Sequence, residues 1–246
     1  MANETGDMKL LGNFRKLIDR LKNEEDYQPA NPALEVAAMD TQYAAALSAV
    51  QELATHLGGH KVAVTERESA FDDLKPLMTR VHNSVKATGT KKNVLEDLST
   101  FKRKLSGARR TPKPVAKPAP GAAATAEPAA KEHSSAQTSY ENQLGHLNGY
   151  LGVLQNVSGY KPNEAELKLT ALKALRDALQ DKNDAVSAAY VPVGQARGKR
   201  DELLYTGEGS IVNTALLAKN YVSAAYGKKS QVFKDVAALS FKRAHK

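Results

Sequence analysis

Residues 10–32 read LLGNFRKLIDRLKNEEDYQPANP, and their periodicity sets the fold class. Leu10, Leu11, Phe14, Leu17, Ile18 and Leu21 recur at three- and four-residue spacing, which places them on one face of an α-helix. A helix is therefore predicted from Met8 to Glu24. The turn Tyr27-Gln-Pro29-Ala-Asn-Pro32 ends it, because proline has no amide proton to offer a helix interior. The same plan returns 133 residues later in QLGHLNGYLGVLQNVSGYKPNEA, residues 143–165. Leu11, Phe14, Leu17, Ile18 and Leu21 fall on Leu144, Leu147, Tyr150, Leu151 and Leu154. Tyr27-Gln-Pro29 falls on Tyr160-Lys-Pro162, and Leu34, Ala38 and Met39 fall on Leu167, Ala171 and Leu172. Both halves close alike, with Phe101-Lys102-Arg103 answering Phe241-Lys242-Arg243. An internal duplication is expected from this order of matches.

Working outward, each half reads as helices alone. In the first, a helix starts near Pro32, a favoured first-turn residue, and Gly58-Gly59 is expected to stop it. Another runs from Lys61 to Lys86, where Pro76 should kink or split it. Thr88-Gly89-Thr90 breaks the chain before a last helix from Lys91 to Leu105. In the second half, helices are predicted over 138–157, 163–190, 193–205, 210–226 and 228–243. Asn163 with Glu166 reads as a capping box. Ile211, Ala215, Ala218, Val222 and Ala225 form a narrow seam of small side chains suited to close helix packing. No period-two strand pattern of useful length occurs.

Between the halves, residues 108–136 hold Pro112, Pro114, Pro118, Pro120 and Pro128 amid Ala, Gly and Lys. Such a composition favours coil and polyproline II. The expectation is an all-α protein of tandem duplicated antiparallel helical bundles, four-helix-like units over 1–107 and 137–246, joined by a Pro/Ala/Lys linker. The alternative is one pseudo-symmetric bundle in which the two units pack together.

Composition narrows the function. The 246 residues include no Cys and no Trp, so disulfides, thiolate metal sites and a cysteine nucleophile are excluded. No run of eighteen apolar residues appears, so no transmembrane helix is expected, and residues 1–9 lack the apolar core of a signal peptide. A cytoplasmic location is the expectation. The formal net charge is +8. Residues 1–110 hold seventeen cations against fifteen anions, and residues 138–246 hold fifteen against ten.

Motifs for chemistry are weak. Gly194-x-x-x-Gly198-Lys199-Arg200 is one residue short of a phosphate loop and lacks its Ser/Thr, so it reads as a helical surface with two tolerated glycines. His56 and His60 are four apart, as two zinc ligands on a helix would be, but Gly58-Gly59 lies between them and no third ligand follows. No metal, cofactor or catalytic residue is predicted, and the protein is not expected to be an enzyme. Tyr27 and Tyr160 are expected to pack under their turns. The basic run Lys102, Arg103, Lys104, Arg109, Arg110, Lys113 and Lys117, with Lys242, Arg243 and Lys246 at the other end, could neutralise nucleic-acid phosphates without reading sequence. Its composition resembles the Lys/Pro/Ala tails of linker histones. The segment from Tyr226 to Arg243 resembles the ending of small helical proteins of bacterial genomes, which implies a bacterial source. The leading expectation is a non-enzymatic helical interaction or structural protein that self-associates or bridges protein partners. The alternative is a basic protein that binds DNA or RNA backbone.

Overall fold

A computed structural model of the chain describes residues 6–107 and 138–242. The protein is all-α, and no strand occurs among the described residues. The helices are α1 (Asp7–Lys22), α2 (Val36–Asp72), α3 (Leu74–Ala87), α4 (Lys92–Ser106), α5 (Tyr140–Leu154), α6 (Leu169–Asp201), α7 (Ile211–Tyr226) and α8 (Gln231–Ala237). Short 3-10 turns at Pro32–Leu34 and Ala165–Leu167 precede α2 and α6, and a π-helical turn at Glu202–Thr206 follows α6.

The local geometry around the two Tyr-x-Pro turns is the same at both places. Tyr27 Oη donates to the Leu34 carbonyl at 2.9 Å, and Tyr160 Oη donates to the Leu167 carbonyl at 2.6 Å. Asn23 Nδ2 closes the end of α1 on Asp19 O, and Asn156 Nδ2 closes α5 on Gly152 O. Each tyrosine thus satisfies a carbonyl on the far side of its turn. The expected capping box is not formed. Asn163 caps nothing, and Glu166 instead receives Arg80 at 2.5 Å. The 3-10 turn sets in before Glu166 could reach back to an N-cap amide.

Two helix ends expected from the sequence do not occur. α2 runs through Gly58-Gly59, and α6 runs through Pro192. Glycine costs a helix interior about 1 kcal/mol against alanine but does not forbid it. Proline costs about 3 kcal/mol or more. Both stretches are held by packing. Leu53, Val193 and Ala196 form a small buried cluster, Lys199 pairs with Glu52 at 2.8 Å, and the His60 and Tyr190 rings lie 5.5 Å apart. Pro76 does split its helix. α2 stops at Asp72 and α3 starts at Leu74, because the proline cannot donate to the Asp72 carbonyl. α8 ends earlier than the predicted 228–243, and the chain beyond it still buries Phe241.

Two compact units result, one of residues 1–62 with 188–246 and one of residues 63–187. Their composition differs from the expected spans 1–107 and 137–246, because α2 and α6 each pass from one unit to the other inside a helix. The expected linker, 108–136, lies outside the described residues.

In the first unit the apolar face of α1 packs against α7 and α8. Phe14, Leu17, Ile18 and Leu21 share a core with Ile211, Ala215, Ala218, Val222 and Val236. The small-residue seam of α7 is therefore buried within the unit, except Ala225, which is exposed. Polar ties surround it. Arg200 holds Asp7 at 2.7 Å, Tyr205 Oη donates to the same carboxylate, and Asn13 Nδ2 donates to Ser240 O at 2.9 Å.

In the second unit α3, α4 and α5 share a core of Met78, Val81, Val85, Leu98, Leu147, Tyr150 and Leu154. α4 and α5 approach closely at Gly149, where a Cβ would collide with the Phe101 ring. Buried residues Leu172, Leu179, Asn183 and Val186 recur along α6 at spacings of seven, four and three, a coiled-coil seam with one polar member. Asn183 is 5% exposed, and neither of its amide atoms has a hydrogen-bond partner among the described residues. A buried unpaired amide costs about 1–3 kcal/mol. Asn183→Leu is thus expected to raise the urea midpoint, by about 1–2 kcal/mol of stability. A lower midpoint would mean that the amide is satisfied in solution.

Candidate functional site

The basic residues singled out in the sequence do not assemble into one site. Lys102, Arg103 and Lys104 stand on the last turns of α4 in the second unit, and Lys242 is exposed near the chain end of the first. Arg109, Arg110, Lys113, Lys117, Arg243 and Lys246 lie outside the described residues. Among the described residues Lys102, Arg103 and Lys104 have no ion pair, and Gly107 ends α4 in a left-handed conformation just beyond them.

Catalytic and metal readings find little. His56 and His60 do share one face, since α2 is continuous, but His56 lies 3.9 Å from Glu52 and the His60 ring packs tilted against Tyr190. No group of three or more His, Cys, Asp or Glu able to hold a metal ion occurs among the described residues. Gly194 and Gly198 are mid-helix, without the strand and loop a phosphate cradle needs. No helix among the described residues is long and apolar enough to cross a membrane.

One arrangement in the second unit resembles a nucleophile with its base, and the sequence did not point to it. Ser99 Oγ lies 3.2 Å from His82 Nε2, and His82 Nδ1 lies 3.3 Å from Tyr150 Oη. Tyr150 is fully buried, so its hydroxyl proton needs an acceptor, and His82 Nδ1 is the one it has among the described residues. That assigns the proton of neutral His82 to Nε2, where it donates to Ser99. In this tautomer the imidazole cannot take a proton from the serine. The chain is a structural tie between α3, α4 and α5. Burial first, then the charges of Lys102 and Lys86, hold His82 below the usual histidine range.

The least expected surface belongs to α2 and α6 in the first unit. The two helices run antiparallel there, Glu52 facing Lys199 and His60 facing Tyr190. No residue of α2 from 54 to 62 is buried. Four large apolar side chains stand in solvent: Leu57 at 39%, Val62 at 58%, Tyr190 at 54% and Val191 at 59% exposure. Glycines lie among them. Gly58 is one turn from Val62, and Gly194 and Gly198 follow Val191 at i+3 and i+7, so each set lines one helix face. No neighbour among the described residues requires these glycines. A Cβ built on Gly58, Gly59, Gly194 or Gly198 meets no atom within 4 Å. By the same advance, Gly58 and Val62 point away from the Leu53 contact and Val191 and Gly198 away from the Val193 contact, so the two sets lie on opposite outer sides of the helix pair. Sequence reading missed these faces because it took Gly58-Gly59 as a helix stop and broke the second half between residues 190 and 193, and so never saw either set in register.

No protein-family model matches the chain, and no curated protein and no solved structure shows significant similarity to it.

Proposed function

We propose that this is a non-enzymatic helical interaction protein that self-associates through the outer side of α6 in its first unit, where Val191, Gly194 and Gly198 line one helix face. The observation that carries the reading is the exposed Val191 beside Gly194 and Gly198, glycines that no described neighbour requires. A glycine in an exposed helix interior is a standing cost of about 1 kcal/mol against alanine. It is useful where another backbone comes close. The face presents projections and gaps together, so it fits a second copy of itself in an isologous pair.

The test is size exclusion with light scattering on the full chain. The native protein is expected to be a dimer. Gly194→Leu, which fills a gap on that face, is expected to give a monomer with unchanged helicity. Gly194→Ala should weaken the dimer while stabilising the separated chain by up to about 1 kcal/mol. A native protein that is monomeric at all concentrations would sink the reading, as would a dimer indifferent to both substitutions.

A second reading, binding of nucleic-acid backbone, is favoured by Lys102, Arg103 and Lys104, which have no ion pair among the described residues. It calls for duplex DNA binding that collapses with salt and is lost when these three residues are neutralised.

A further inference from the structure

The second unit carries a cavity of about 610 Å³ between the α3–α4 turn and the end of α5. It is independent of the α6 surface proposed for self-association. Its size lies in the range of small-molecule sites, roughly 300–1,000 Å³. Val94, Val153 and Val157 supply apolar wall, and Ser158 supplies a hydroxyl, while the Thr90 hydroxyl is tied to Thr88 Oγ1 at 2.7 Å. The Ser158 hydroxyl has no hydrogen-bond partner among the described residues. Lys91 is the one ionisable residue in the lining among the described residues. It is exposed, and it has no ion pair among the described residues. It also stands at the N-cap of α4, where the helix end adds to the positive potential although Asn93 Oδ1 takes the Val94 amide. Gly152 lines the same space, and a Cβ there would meet nothing within 4 Å.

We propose that this cavity binds small amphipathic anions, with Lys91 opposite the anionic head and the valines against an apolar body. A purely apolar ligand would leave Lys91 and the Ser158 hydroxyl unused. A bare inorganic anion would leave the valine wall wet. The carboxylate, sulfonate or phosphate head is not distinguished by this lining, since each offers oxygens to an ammonium and a hydroxyl.

The experiment titrates the full chain with 1-anilinonaphthalene-8-sulfonate and, separately, with the neutral N-phenyl-1-naphthylamine, by fluorescence and calorimetry. One site per chain is expected for the sulfonate. Lys91→Gln should weaken it about tenfold and leave the neutral dye unchanged. Gly152→Leu, which fills the space, should abolish the site for both dyes. Lys91 is exposed, so Lys91→Gln is expected to fold as the native chain does, and circular dichroism checks both variants. Sulfonate binding that is unchanged by Lys91→Gln, or that has no defined stoichiometry, would overturn the proposal.

Discussion

Phe14→Ala is expected to remove about 3–5 kcal/mol of stability, and to remove it from one unit. The Phe14 ring is fully buried between α1, α7 and α8, in a core that contains no residue of α3, α4 or α5. The loss combines the transfer of the ring to water with a cavity that neighbours such as Ile18 and Val222 fill incompletely. Hydrogen exchange should accelerate in Asp7–Lys22 and Ile211–Tyr226, while Leu74–Ala87 and Tyr140–Leu154 keep their protection. The mirror variant Leu147→Ala, in the other core, should cost about 2–5 kcal/mol and reverse the pattern. Acceleration spread evenly over all these helices would show that the two cores melt as one.

Mild acid is expected to loosen the second unit through His82. The imidazole is 3% exposed and neutral, accepting the Tyr150 proton at Nδ1 and donating from Nε2 to Ser99. A second proton would displace the Tyr150 donor and place a buried cation near Lys86 on α3 and Lys102 on α4. Burial and these two charges hold the folded-state pKa below the ordinary value of about 6.5. In the window between that depressed value and about 6.5, the unfolded chain binds the proton and the folded one does not. The stability tied to neutral His82 is therefore whole above about pH 6.5 and drains as pH falls through the folded-state value. Within the window one such group contributes up to about 1.4 kcal/mol per pH unit. His146, also held low by burial and then by Lys104, acts in the same direction. Urea unfolding from pH 5 to 8 should show the slope, with α3–α5 losing exchange protection first. His82→Gln, which keeps an acceptor for Tyr150, should flatten the His82 share. A slope unchanged in that variant would assign the acid sensitivity elsewhere.

The helical class was legible because it rests on local chemistry. Leu10 through Leu21 carry a 3.6-residue period, and all six apolar positions of that stripe are buried. The two Tyr-x-Pro turns were legible for the same reason, since each closes within seven residues by a tyrosine hydroxyl on a carbonyl. Single-residue signals were less decisive. Pro76 breaks its helix and Pro192 does not, although each lacks the same amide proton. The difference lies in the neighbours: Val193 and Ala196 are locked on Leu53, a contact more than a hundred residues away in sequence.

The candidate surface depended on the same long-range decision. The small seam of α7 read as suited to close helix packing, and it is α1, from the opposite chain end, that packs against it. The Gly58-Gly59 pair of α2 read as an interruption, yet the helix continues and leaves both glycines facing solvent. Periodicity states that a helix has an apolar side, and composition states that nothing here bears a cysteine or a long apolar span. Which element covers that side is settled only when distant segments compete for it, because burial free energy follows total area and is blind to order along the chain. For this protein that competition placed α7 against α1, carried α2 and α6 from one unit into the other, and left Leu57, Val62, Tyr190 and Val191 uncovered.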